Sequence, residues 1–338
     1  MSESCDVKIP SFVIYQSADK TVILLDIPRS LEYSQVLPGH LPQRRIYSDT
    51  PPSEPFPTPD PKRSPRHGAA AHNWQAQSPA AQISDLMTAA SVESALQSLH
   101  DNYSGPFHLP RLSSPATPSN SETAAYLPVP ETTNLHGSID GQRQTFSDTA
   151  PAFKLIVLDP PWPNRSAKRR TDKYATVTNL AEMRDLLTSI PVSAHLDSSG
   201  LVAIWITNKA TIPDFLTSPT GVFASWGVEL AAEWTWFKIT ALGEPIFDVN
   251  STWRKPWEKI LIAKRVGTST PTNLKSKVII AAPDAHSRKP NLRGLFEDVF
   301  GESNYLGLEI FARNLTAGWW CWGDQVLKFQ DQQYWAQE

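Results

Sequence analysis

Two cysteines in 338 residues, Cys5 and Cys321, are too few and too far apart for a disulfide framework, and no histidine cluster joins them. A structural zinc site is excluded on the same count, no metal is expected, and a reducing compartment fits. No apolar run approaches the ~20 residues that a bilayer-spanning helix needs. The opening MSESCDVKIP lacks the charged and apolar regions of a secretory signal. The expectation is a soluble intracellular protein with no membrane partner. Charge of neither sign is in excess: 31 Lys and Arg stand against 34 Asp and Glu, so any basic surface must be local. Neither G-x-G-x-x-G nor G-x-x-x-x-G-K-[ST] occurs, which removes support for ordinary dinucleotide and nucleoside triphosphate sites.

What is present is distributed unevenly. Nineteen of the 30 prolines lie in the first 151 residues, whereas 11 of the 12 tryptophans fall from Trp162 onward, so the main core belongs to the second half. Residues 1–37 hold two short β-prone runs, Phe12–Tyr15 and Val22–Ile27, a hairpin pattern that is marginal alone and calls for packing on the main domain. Residues 38–82 are rich in Pro, Ser and charge and read as a disordered linker. Within residues 83–133, Ile83, Leu86, Met87, Ala90, Leu96 and Leu99 recur near helical spacing and predict an amphipathic helix over 83–100 that docks on the domain. Residues 134–330 form the expected catalytic domain, and 331–338 a tail.

From about residue 151 the pattern is α/β. FKLIVL (153–158), LVAIWIT (201–207), ILIA (260–263), VIIA (278–281) and LGLEIF (306–311) are nearly continuous apolar runs, as strands buried on both faces require. Helical patterns over 179–190, with Thr178 as cap, and over 291–300, behind Pro290, alternate with them. This alternation predicts a doubly wound, mostly parallel sheet with helices on both sides. Ligands of such sheets bind outside the carboxyl ends of the strands, so residues that follow each run are the candidates for chemistry.

Directly after FKLIVL come Asp159, Pro160, Pro161 and Trp162. An exocyclic purine amine is a poor nucleophile because its lone pair is delocalised into the ring. If its two N–H groups donate to the Asp159 carboxylate and the Pro160 carbonyl, the amine is favoured in a pyramidal form with its lone pair free to meet an electrophilic methyl group. Two prolines fix the backbone there, and Trp162 offers a ring on which a base can stack. The alternative is a turn that leaves a core strand with its tryptophan buried by packing alone.

These residues and the ordered blocks LIVLDPPWPNRSAKRR, KYATV, IWITNK, EWTWFKIT, KPWEKILIAKR, HSRKPNL, LEIFARNLTAGWW and WGDQVLKFQ resemble the eukaryotic DPPW-type adenine-N6 methyltransferases, the family of the mRNA N6-methyladenosine writer. The resemblance spans about 134–329 and runs closest to the methyltransferase-like protein four branch. It implies a Rossmann-like methyltransferase fold whose catalytic motif precedes the main cofactor motifs, with S-adenosyl-L-methionine as cofactor. By this resemblance Asp159, Pro160, Pro161 and Trp162 are catalytic, and Tyr174, Trp236 and Glu258 surround the target adenine. Core packing is the alternative for each aromatic, and a surface pair with Lys255 or Lys259 for Glu258. Lys289 matches a lysine that pairs with the cofactor's carboxylate. Glu309, Arg313, Asn314, Asp324 and Gln325 match polar residues around its methionine and ribose parts, and Ser138 and Ile139 lie beside its adenine. Asp324 stands where the family usually has Asn, and Arg288 where it frequently has His, which bears on cofactor affinity.

The segment after Trp162, PNRSAKRRTDK, carries Arg165, Lys168, Arg169, Arg170 and Lys173 against one Asp172, a local basic patch suited to substrate phosphates. The expected partner is therefore nucleic acid, RNA ahead of DNA because an unpaired RNA base reaches a pocket at lower cost than a duplex base. DNA adenine methylation and an inactive nucleic-acid-binding subunit stand as the alternatives. PKRSPR (61–66) is suited to nuclear entry, and activity as a monomer is expected.

Overall fold

The computed structural model describes residues 11–58, 78–113, 125–163, 177–251, 254–285 and 288–337. In chain order the elements are β1 (Val13–Gln16), β2 (Val22–Leu25), α1 (Ile27–Ser34), β3 (Arg44–Ile46), α2 (Pro79–Asn102), β4 (Thr133–His136), α3 (Ile139–Thr149) and β5 (Phe153–Leu158). They continue as α4 (Leu180–Thr188), α5 (Val192–His195), β6 (Leu196–Ile206), α6 (Thr211–Thr217), α7 (Val222–Trp226), β7 (Val228–Lys238) and β8 (Trp257–Arg265). The last are β9 (Lys277–Ala281), α8 (Arg293–Phe300), β10 (Gly307–Ile310), β11 (Trp320–Gly323) and β12 (Trp335–Gln337).

Ten strands form one sheet in the order β1-β2-β9-β7-β8-β6-β5-β10-β11-β4. Pairing is parallel except for β1 with β2 and for β8 with its neighbours β6 and β7. The expected α/β class and mostly parallel sheet are therefore present. Strand alternation feeds two cores from single runs. Leu155 and Val157 of β5 join Leu201, Ala203 and Trp205 of β6 in the core on one face. Phe153, Ile156 and Leu158 join Val202, Ile204 and Ile206 in the core on the other.

The predicted N-terminal hairpin forms as β1 and β2, and β2 pairs in parallel with β9, so residues 11–25 extend the catalytic sheet. The attachment is tight: a Cβ placed on Gly294 of α8 would lie 2.7 Å from the Phe12 ring. The expected linker over 38–82 needs correction in its first part. Residues 44–46 form β3, which pairs antiparallel with β12, and Ile46 is fully buried. Composition misled here because one buried carboxylate organises the segment: Glu32 accepts from the Ile46 N–H and the Arg45 guanidinium, both at 3.0 Å. The tail pattern at 331–338 is likewise part of the fold through β12.

The helix expected over 83–100 is α2, capped by Ser78 with Pro79 in its first turn. Its docked face agrees with apolar spacing at Leu96 and Leu99 and departs from it in the first half of the helix. Thr88, Ala89, Val92, Ala95 and Leu99 are buried, whereas Ile83, Leu86 and Met87 are exposed. Small residues let the helix approach the β2, β9 and β7 surface, which a count of large apolar side chains overlooks. For α4 the cap is Asn179, one residue after Thr178: its Oδ1 accepts from the Ala181 and Glu182 N–H groups.

Candidate active site

Asp159 leaves the carboxyl end of β5, in the middle of the sheet, and its surroundings come from four other strand ends. Lys289 enters from the loop after β9, and its Nζ lies 3.6 Å from Asp159 and 2.8 Å from Glu258 at the start of β8. Lys238, the last residue of β7, also pairs with Glu258. Glu258 is thus bracketed by two ammonium groups, and neither Lys255 nor Lys259 takes it as a surface partner; Lys259 pairs with Glu233 at 2.9 Å. Burial alone would raise the Glu258 carboxyl, but Lys289 and Lys238 outweigh it and hold the group down to about 2. Burial likewise disfavours the Lys289 ammonium, and Asp159 and Glu258 reverse the balance and raise it.

The DPPW segment is fixed from within. The Trp162 N–H donates to the Pro160 carbonyl at 2.8 Å, which leaves that oxygen one lone pair for another donor. The Trp162 indole N–H donates to the Trp205 carbonyl at 2.8 Å, and the ring is buried, edge-on to Phe215 at 6.3 Å. In this geometry Trp162 anchors the motif to β6, and its ring is not an open stacking face. Trp236 is also buried, T-shaped to Trp205 at 5.7 Å, with Lys238 4.4 Å from its ring centre.

Beyond Asp159 runs a narrow cleft of about 30 Å³, bordered by Lys289, Glu309, Arg313 and Asn314 with Val157, Trp205 and Phe311. That is room for a water, so anything larger requires the lining side chains to part. Glu309 is raised to about 7, first by burial, then by the Asp159 charge, against the opposing pull of Arg313. The donor set suits an amino-acid group: of the three cations that line the cleft Arg288 is paired with Asp284, Lys289 and Arg313 suit a carboxylate, and Glu309 and Asn314 offer acceptors for an ammonium or hydroxyls. A second group of predicted residues meets elsewhere along the sheet. Ser138 caps α3, accepting from the Gly141 N–H at 3.0 Å, and Ile139 is buried behind it. The Gly137 N–H donates to the Gly323 carbonyl, and His136 Nε2 lies 3.1 Å from the Asp324 carbonyl, so 136–139 and 323–325 adjoin at the ends of β4 and β11. Gln325 lies there too, with Lys328 Nζ 3.5 Å from its Oε1. The predicted cofactor residues therefore fall into two clusters, one on each side of the β10–β11 strand ends.

Tyr174, Arg165, Lys168, Arg169 and Arg170 lie outside the described residues. Sequence reasoning missed Lys238 and Trp205. Lys238 was available from strand period: it follows Trp236 by two residues and so shares its face of β7. Asp284 and Arg288 were also missed as a buried pair at 2.9 Å that ties the Lys289 loop to the Tyr47 carbonyl.

Comparison with known proteins gives the family. The N6-methyladenosine RNA methyltransferase MTA1 of Cryphonectria parasitica is 49% identical over 333 residues, 96% of this chain and 94% of that protein. The mouse N(6)-adenine-specific methyltransferase METTL4 is 34% identical over 221 residues, 62% of this chain and 45% of its own length. A DNA N6-methyl methyltransferase of Caenorhabditis elegans is 33% identical over 204 residues, 60% of this chain and 53% of its own. The MT-A70 family model matches residues 153–325, from the first residue of β5 through Asp159, Glu258 and Lys289 to Gln325, and the chain belongs to the MT-A70 family.

Proposed function

We propose that this protein transfers a methyl group from S-adenosyl-L-methionine to the N6 amine of adenine in nucleic acid, with RNA as the preferred substrate. The observation that carries the reading is the junction of Asp159 with Lys289 and Glu258 at the end of β5, in a chain of this family. Asp159 accepts one amine N–H and the free lone pair of the Pro160 carbonyl accepts the other, so the nitrogen lone pair is turned toward the cleft. Glu258 and Lys238, beside Trp236, border the base. Lys289 and Arg313 bind the cofactor's carboxylate, Glu309 and Asn314 its ammonium and hydroxyls, and the 136–139 and 323–325 cluster receives its adenosine end. Bound there, the cofactor supplies an electrophilic methyl group.

Glu309 supports this division of labour. A carboxyl held near neutrality in its proton affinity avoids a second full negative charge next to Asp159, and in its protonated form it donates a hydrogen bond. The preference for RNA rests on the relatives that share almost the whole chain, both bearing the name of an RNA methyltransferase, and on the lower cost of presenting an unpaired base. The nematode relative named for DNA carries the second reading, duplex DNA as substrate. Nuclear residence goes with this proposal on the strength of the basic PKRSPR segment, and activity as a monomer on a site assembled from one chain. Matched RNA and DNA oligonucleotides, single-stranded and duplex, test the preference. The highest kcat/KM is expected for single-stranded RNA, and a higher value for duplex DNA overturns the RNA assignment.

A further inference from the structure

Residues 47–58 fall within the linker that composition predicts, yet they pair with the connection from β7 to β8, whose ends carry Lys238 and Glu258. The connection from β7 to β8, residues 239–256, leaves Lys238 on the carboxyl-end side of the sheet and returns at Glu258. It is pinned there by the Ile246 N–H donating to the Lys238 carbonyl at 3.0 Å and by the Lys238 N–H donating to the Pro256 carbonyl at 2.8 Å. Residues 52–56 lie along this connection: the Ala241 N–H donates to the Pro52 carbonyl at 2.8 Å and the Phe56 N–H to the Ile246 carbonyl at 2.9 Å.

Three side chains meet on this surface. Phe56 and Phe247 have ring centres 5.7 Å apart at 35°, and the Arg254 guanidinium sits 4.0 Å from the Phe247 centre. Phe247 is covered, 9% exposed, whereas Phe56 is 47% exposed. A single exposed aromatic is ordinary on a protein surface. This one is different in its setting: a backbone hydrogen bond fixes it, a second ring backs it, and an exposed guanidinium sits on that second ring. Among the described residues no carboxylate pairs with Arg254. Two backbone hydrogen bonds link the group to the site, Phe56 to Ile246 and Ile246 to Lys238, and Arg254 lies four residues before Glu258.

We infer that Phe56, backed by Phe247 and Arg254, is a stacking platform for a nucleotide that flanks the target adenine in the substrate strand. An aromatic face takes any base, and a guanidinium on the backing ring, with no carboxylate partner among the described residues, takes the adjoining phosphate, the two elements from which single-strand sites are built. A target base drawn out to Asp159 leaves its neighbour unstacked, and a ring at the mouth of the site replaces that lost contact. The segment before α2, which lies outside the family match at 153–325, thereby becomes part of the substrate site. This inference rests on the nucleic-acid reading above.

The test uses the full chain with a fluorescein-labelled single-stranded RNA of about 20 nucleotides carrying one adenine. Phe56→Ala is expected to weaken oligonucleotide binding and raise KM by roughly 5- to 150-fold, the range for one lost base stack. Cofactor Kd is expected to stay within about twofold, and the loss to fall on KM rather than kcat. Phe56→Leu keeps apolar volume but not the flat face, and is expected to weaken binding without lowering the unfolding temperature. Phe56→Trp is expected to restore it, and Arg254→Gln to lower the salt slope of binding by about one. Wild-type binding in both Phe56→Ala and Phe56→Leu overturns the platform. So does unchanged RNA affinity accompanied by a shift from dimer to monomer on sizing, which would make the surface a protein contact. A wild-type protein that binds and methylates RNA, with variants that do so equally well, refutes only the platform. A wild-type protein that binds no nucleic acid refutes the reading beneath it as well.

Discussion

Replacing Glu258 by Gln keeps the side chain's shape and removes the one charge that Lys238 and Lys289 share. Its carboxyl is held at about 2 against an ordinary 4.5, a difference of ~2.5 units. At 1.36 kcal/mol per unit this corresponds to ~3 kcal/mol at neutral pH. Each side chain is about a fifth exposed, so solvent screening reduces the expectation to about 2 kcal/mol, between the values for exposed and fully buried pairs. The sign follows from linkage: a depressed carboxylate stabilises the fold above its unfolded value and loses that contribution as pH falls from about 5 toward 2. Urea unfolding of wild type and Glu258→Gln should therefore differ by about 2 kcal/mol at pH 7, and the gap should close on acidification. A gap below about 0.5 kcal/mol at pH 7, or one that persists unchanged at pH 3, would refute the placement of Glu258 between the two lysines.

Glu309 should show the opposite dependence. Its raised carboxyl costs the fold stability as pH rises from about 4.5 through 7, so Glu309→Gln should gain on wild type across that window, and parallel stability curves would contradict its burial. Lys289→Ala should weaken S-adenosylmethionine binding tenfold or more in calorimetry; equal affinity would remove it from the cofactor site. Neutralising Arg165, Lys168, Arg169 and Arg170 should flatten the salt dependence of nucleic-acid binding, and an unchanged slope would remove the basic segment from the substrate site. Ile46→Ala should cost about 2–5 kcal/mol of unfolding free energy, as a core residue does, whereas a linker position would cost nothing.

The fold class and the position of the Asp159 corner at a strand end are legible because they rest on local signals. Apolar runs such as FKLIVL are long enough to mark strands buried on both faces, and Asp159 directly follows one. What escaped was set by tertiary partners. The β7 run, VELAAEWTWFK, mixes charge with aromatics because its outer half is exposed and its inner end faces the site, so no simple period announced it. β3 has three residues and two of them are arginines; the buried Glu32 holds Arg45, and Arg44 donates to the Pro128 carbonyl. The motif's chemistry and the family pattern assign Trp162 to the base, and the family pattern alone assigns Trp236; both rings are buried, Trp162 bonded to the Trp205 carbonyl and Trp236 under the Lys238 ammonium. The Lys238–Glu258–Lys289 chain joins residues from β7, β8 and the loop after β9, whose adjacency follows from the antiparallel insertion of β8, a feature the strand runs alone do not encode.

The central claim is adenine-N6 methylation through Asp159, and isotope transfer tests it most directly. Wild type and Asp159→Ala, matched in circular dichroism and in cofactor affinity, are incubated with methyl-deuterated S-adenosylmethionine and with RNA or DNA, and the digested nucleosides are analysed by mass spectrometry. The account predicts deuterated N6-methyladenosine from wild type with RNA, and none above background from Asp159→Ala. Label on another base or position, or equal labelling by the variant, would contradict it.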